Sequence, residues 1–213
     1  MPDEARRPLT KERIVELALD IIDTDGLEAL NMRRLASATG VRPMSLYHHY
    51  PNKQAILDAV GEALSADSLG ETLPGADGRD AVRQLLVGLH LLVRAHPRAL
   101  PLISTAVIRT PSGRRWMNDL MRLLLEAGAQ PAEAARIYHV LGAYTLGWGY
   151  ARLLALDVSP GSIVGQLAGH WSEYPHLLQV GMPLAAWEDT GEFEDGLDAL
   201  LTRAVRLPGW ADP

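Results

Sequence analysis

NMRRLASATGVRPMSLYHHYPNK, residues 31–53, is the stretch from which the fold is read. It carries four Lys and Arg and no Asp or Glu, inside a 213-residue chain of formal net charge -6. Asn31 is placed to cap a short helical pattern in which Met32, Leu35 and Ala36 face inward. Gly40 and Val41 make a turn, and glycine accepts the positive φ that a residue with a Cβ resists. Pro43 suits the first position of the next helix, because its φ is already helical and its missing N–H has no partner there. Leu46 and Tyr50 then point back to the core. A small residue, a turn glycine and a plugging apolar residue at this spacing predict a helix-turn-helix, a device for reading nucleic acid.

Outward from this stretch the chain reads as helices separated by Pro and Gly. Thr10 caps a first helix whose apolar face is Ile14, Leu17, Ala18, Ile21 and Ile22, and Gly26 is expected to stop it in the left-handed αL position. Pro51 ends the reading helix. Asn52 caps a fourth helix with Ala55, Ile56, Val60, Ala63 and Leu64 on its inner face. Residues 65–78 are rich in Gly, Ser and acid, so the domain boundary is expected there, giving domains 1–64 and 65–213. Helical segments follow at 79–95, 98–108, 112–127 and 131–156, a weaker one at 160–172, and a last one at 192–206. Residues 1–9 read as a loose tail and 173–191 as loop. No period-two pattern competes, so the fold class is all-α.

Composition narrows the function. Acidic residues outnumber basic ones 26 to 20, so any contact with nucleic acid is local rather than spread over the molecule. The absence of Cys rules out disulfides, thiolate metal sites and a cysteine nucleophile. The start has no apolar core, and apolar runs such as LLVGLHLLV at 85–93 are too short to span a bilayer. A cytoplasmic protein without membrane contact is expected. The seven His lack metal-ligand spacing, and no catalytic constellation or phosphate loop is present. Neither a metal, a cofactor nor an enzymatic activity is therefore expected.

Single residues divide into two groups. Tyr47 and Lys53 suit phosphate contacts, which position a protein without reading sequence. Arg42 and His48 suit base edges, Arg because its fork matches guanine O6 and N7. In the C-terminal half, His90, Trp116, Met117, Met121, His139, Tyr144 and Trp148 are candidates for a ligand pocket. Trp and Tyr bring a polar handle into an apolar wall. Ordinary core packing is the alternative reading of each. Gly142 and Gly149 are expected to permit close helix packing.

The runs IVELALDIIDTDGLEALNMRRLA at 14–36, ATGVRP at 38–43 and SLYHHYPNKQAILDAV at 45–60 resemble the N-terminal DNA-binding domain of the TetR family of transcriptional repressors. More weakly, LGAYTLGWGYARLL at 141–154 and IRTPSG at 108–113 resemble the tetracycline-repressor-type ligand domain. The resemblance implies an all-α homodimer with one helix-turn-helix per subunit and a small-molecule effector in the C-terminal domain. Family DNA contacts carry over onto Arg42, Pro43, Met44, Ser45, Tyr47, His48, His49 and Lys53, with Arg34 as a phosphate contact. Pro43 and Met44 depart from the polar or glycine residues the family often has there, so the operator sequence is not implied. The segment ISTAVIRTP at 103–111 lacks the magnesium-binding His of the tetracycline repressors, so neither tetracycline nor a metal is expected as signal.

The expected function is a ligand-responsive regulator of transcription, a repressor released from a near-palindromic double-stranded operator by a small apolar or aromatic effector. The competing readings are a small all-α binding protein or enzyme that does not act on DNA, and a ligand-independent architectural DNA binder.

Overall fold

The computed structural model describes residues 9–68, 78–157, 191–204 and 207–210, with Tyr174, His176 and Gln179 between them. Among these residues there are helices and turns and no strand. The weak helical segment expected at 160–172 lies outside the described residues, as does nearly all of the loop expected at 173–191.

Helix α1 (Lys11–Asp25) begins where the Arg13 amide donates to Thr10 Oγ1 at 3.2 Å. It ends at Gly26, whose φ of 88° and ψ of 167° are not αL: the chain leaves in an extended direction with positive φ, a corner that again favours glycine. Helix α2 (Met32–Thr39) is capped by Asn31 Oδ1, which accepts from the Arg34 amide at 2.9 Å. Gly40, at φ 70° and ψ 16°, is the αL residue that turns the chain toward α3 (Pro43–His49). Leu46 is fully buried beneath that turn, with Leu35 and Ala36. Tyr50 packs against the same core but is only half-buried, its ring lying 5.8 Å from Lys11 Nζ.

Helix α4 (Lys53–Ser68) starts with the Ala55 amide donating to Asn52 Oδ1 at 2.9 Å. It packs on α1 at one end and on α6 and α7 further along, so it belongs to both halves of the molecule. Beyond the linker, α5 (Gly78–Ala95), a 3₁₀ turn at Pro97–Ala99, α6 (Leu100–Arg109), α7 (Pro111–Glu126) and α8 (Pro131–Asp157) build the body. Helix α9 (Glu192–Ala199) continues into a wider π-helical turn at Leu200–Ala204 and packs on α5 and α8. Phe193, Leu197 and Leu201 are its buried face.

One continuous core joins the two halves. Ile14, Leu46, Ile56 and Val60 of the smaller half merge with Leu86, Leu120, Leu124, Ile137 and Leu141 of the larger. No helix among the described residues is long and apolar enough to cross a membrane.

Candidate nucleic-acid interface and aromatic cluster

The outer side of α3 is the most exposed apolar and aromatic surface of the smaller half. Met44 is 69% and Tyr47 47% exposed, while Arg42, Pro43 and His48 are exposed beside them. Ser45, His49 and Lys53 are half-buried. The cause is local. Leu46 takes the one fully buried position of this two-turn helix, so its neighbours at 44, 45, 47 and 48 are turned outward. Arg42 precedes the helix, and Lys53 opens α4.

Arg34 lies elsewhere in the electrostatics. Its guanidinium pairs with the carboxylate of Asp25, at the end of α1. Arg33, its neighbour on α2, is exposed, and none of Arg33, Arg42 and Lys53 has an ion pair among the described residues. Arg33 was not singled out from sequence. The signal that could have found it is the acid at Asp25, which engages one of two adjacent arginines.

The smaller half is tied to the body by carboxylates. Asp58 of α4 accepts two bonds from the Arg109 guanidinium, at 2.9 and 3.1 Å. Those bonds hold the Asp58 carboxyl below its ordinary range and raise Arg109. One turn on, Glu62 accepts from the Ser112 amide at 2.9 Å and the Ser112 hydroxyl at 2.7 Å, at the N-terminus of α7. Burial alone would raise Glu62, but the Ser112 bonds and the nearby Arg115 bring it below its ordinary range. On the other side, His96 Nδ1 bonds Asp23 Oδ2 of α1 at 2.7 Å, and Arg98 donates to the Asp23 carbonyl at 3.1 Å.

In the body, three of the seven sequence-predicted pocket residues meet. His90 of α5 lies edge-on to Trp148 of α8, with centroids 6.4 Å apart, and Tyr144 is 6.3 Å from the same Trp148 ring. Their common neighbour is Phe193, which stacks on His90 at 3.8 Å with planes 4° apart and on Tyr144 at 5.3 Å. Phe193 is not among the candidates read from the sequence. It arrives from a segment about a hundred positions from His90 in the chain, and no local period announces that meeting. The Tyr144 hydroxyl donates to the Phe193 carbonyl at 2.9 Å. Arg83 of α5 bonds Asp198 and Glu194 of α9, each at 2.6 Å, and both bonds raise its pKa.

The remaining four candidates are not placed in that ring cluster. Trp116 is buried on α7, and its indole N–H donates to the Leu85 carbonyl at 3.4 Å. Met117 and Met121 are half-buried on α7 and pack against the core. His139 is on the exposed side of α8, with Nδ1 2.7 Å from the Ala135 carbonyl. Gly149 packs tightly on Val93, whereas Gly142 has open space about it.

Comparison with known proteins now settles the family. The model for bacterial regulatory proteins of the tetR family matches residues 14–60. A solved structure from Streptomyces coelicolor A3(2), described as a possible TetR family transcriptional regulator, superimposes with a TM-score of 0.74. It is 31% identical and covers 92% of this chain and 100% of its own. The chain belongs to the TetR family of transcriptional regulators. Among its TetR-family relatives is the transcriptional repressor DrrR1 of Streptomyces coeruleorubidus, 31% identical over 153 residues. That match spans 68% of this chain and 57% of DrrR1, a little over half the relative's length. ActR of Streptomyces coelicolor, solved in complex with actinorhodin, is 27% identical, with coverage of 93% and 95% and a TM-score of 0.69.

Proposed function

We propose that this TetR-family chain is a cytoplasmic, homodimeric repressor without enzymatic activity, which leaves its operator when a flat aromatic effector binds the body. The carrying observation is the outer surface of α3 and its flanks, which is exposed, aromatic, cationic and free of acid from Asn31 to Lys53. In a protein of net charge -6, such a surface matches a polyanion and little else.

The roles follow from position. Arg42 and His48 reach base edges, with Pro43, Met44 and Ser45 lining the groove; Tyr47, His49 and Lys53 hold phosphates. Arg33 supplies the phosphate contact of α2, because Asp25 occupies Arg34. Residues 1–64 form the reading head and 65–213 the effector and dimer domain, with α4 spanning the junction.

Dimerisation is supported by α8. Val140, Ala143, Gly147, Tyr150 and Leu154 recur at helical spacing along its exposed side, with Tyr150 56% and Leu154 49% exposed. The exposed side of α9 is acidic instead, so α8 supplies the apolar part of the interface. A two-fold dimer sets two α3 helices about 34–36 Å apart on a near-palindromic site. The effector class is supported by the His90, Tyr144, Trp148 and Phe193 rings, and a small-molecule effector by the complex of ActR with actinorhodin.

The test is selection of bound duplexes from a random pool, followed by titration of the selected site with actinorhodin as the probe. A two-fold symmetric sequence, lost on probe addition, is the expected result. No duplex enriched over background would overturn the DNA-binding reading. Enrichment of a site that responds to neither the probe nor a panel of flat aromatics would overturn the effector class.

A further inference from the structure

A chain of close contacts runs along α5 from the aromatic cluster to the smaller half. His90 lies in the cluster, stacked on Phe193 and edge-on to Trp148. Three residues on, Val93 meets Gly149, the residue after Trp148; a methyl group on Gly149 would overlap Val93 Cγ1 and come within 3.3 Å of Leu100 Cδ1. Three residues further, at the end of α5, His96 bonds the Asp23 carboxylate of α1. His96, the residue that follows α5, thus lies roughly 9 Å beyond His90 along the helix direction. Arg98, in the 3₁₀ turn that follows, donates to the Asp23 carbonyl, at the end of α1 where the helix dipole favours a cation.

Two features make this a mechanical link rather than incidental packing. Gly149 leaves no slack between α8 and α5, so a shift of Trp148 is felt by α5 directly. Asp23 Oδ1 is buried with no hydrogen-bond partner among the described residues, so the His96 bond to Oδ2 is what holds this carboxylate. α1 in turn packs on α2 and α4, which flank the reading helix.

We propose that the Asp23–His96 clasp is the point at which α5 transmits the state of the aromatic cluster to the reading head, with Asp23 and His96 as positioning residues for α1. This rests on the reading of α3 as the DNA-binding element, but the clasp itself is testable without DNA or effector. The other ties between the halves, Asp58 and Glu62 of α4, are bonds to Arg109 of α6 and Ser112 of α7, not to α5.

Amide hydrogen exchange on the full chain provides the test, with interior α7 amides as the reference for global stability. His96→Ala should speed exchange of the last turn of α1 about ten-fold relative to α7, as local opening does. Phe193→Ala, which perturbs the cluster without touching α1, should speed the same α1 amides relative to α7. In the His96→Ala background it should add less than about two-fold, the signature of coupled sites in a double-mutant cycle. His96→Asn, which can place an N–H near Nδ1, should restore the wild-type pattern, a rescue that loss of packing alone would not give. Phe193→Leu repeats the cycle should Phe193→Ala unfold the chain. The inference is overturned if the two effects multiply independently, or if α1 exchange is indifferent to the cluster. Titrating the same proteins with the selected duplex reports separately: failure of every one to bind DNA would strike the proposed function, and the exchange cycle would still decide the clasp.

Discussion

The two candidate sites are built in opposite ways. The α3 surface comes from residues adjacent in the chain, exposed and held in place by a single buried neighbour, Leu46. The aromatic cluster comes from α5, α8 and α9, with Phe193 and His90 buried and the helices tied by bonds such as Tyr144 to Phe193 and Arg83 to Asp198. The surface proposed to meet DNA keeps its side chains free. The one proposed to meet a small molecule sits where helices from distant parts of the chain converge. Damage to the first should therefore alter binding while the fold persists, whereas damage to the second should alter the fold and binding together.

The largest expected break of that contrast is Leu46→Ala. Leu46 is fully buried, and such truncations cost about 3–5 kcal/mol. The smaller half should melt well before the body, giving two thermal transitions by circular dichroism; one cooperative transition would mean that the shared core ties the halves more firmly than this contrast allows. Next is Arg42→Ala, expected to lose about 1–3 kcal/mol of discrimination at one base pair with the melting temperature unchanged. An unaltered base preference in a randomised-operator selection would remove Arg42 from base reading.

Tyr144→Phe tests the other side. It removes the hydroxyl that donates to the Phe193 carbonyl, and a net hydrogen bond of this kind contributes about 1 kcal/mol. Exchange of α9 amides should rise while α3 stays unchanged. Lys53→Ala should weaken all duplexes alike and flatten the salt dependence by about one unit, measured as log K against log salt. A loss confined to one sequence would reassign Lys53 to base reading.

The smallest effect is expected of Asp58→Asn, below about 1 kcal/mol, because the pair with Arg109 is partly exposed. The folded Asp58 and Glu62 carboxyls lie below their ordinary values, so their contribution is present above the ordinary carboxylate range. It is lost as the pH falls through that range toward their folded values. Asp58→Asn should therefore lower stability slightly at neutral pH and converge with the wild type in acid, which flattens the acid limb of the stability curve.

Much of the smaller half was legible because its cues are local. Thr10, Asn31 and Asn52 act within three residues, and Gly40 and Pro43 act on their own φ. Gly26 shows the limit of such cues: a helix-stopping glycine was readable, but its extended ψ depends on where the 3₁₀ turn at Leu27–Ala29 packs on α1. Arg34 shows it again, since its engagement by Asp25 spans nine residues and a corner. In the body, the helical segments 79–95 and 131–156 were readable, but not which of their aromatic rings meet. Trp116 and His139 look equivalent to Trp148 as letters; one lies under α5, the other faces outward.

By itself, then, the sequence determined the helices among the described residues, their caps and the acid-free stretch around α3, because each depends on interactions a few residues long. The tertiary structure alone decided the stack of Phe193 on His90, the fit of Gly149 on Val93 and the clasp of His96 on Asp23. Those are contacts between segments tens of residues apart or more, set by how whole helices cross, and helix crossing is fixed by the packing of many side chains at once.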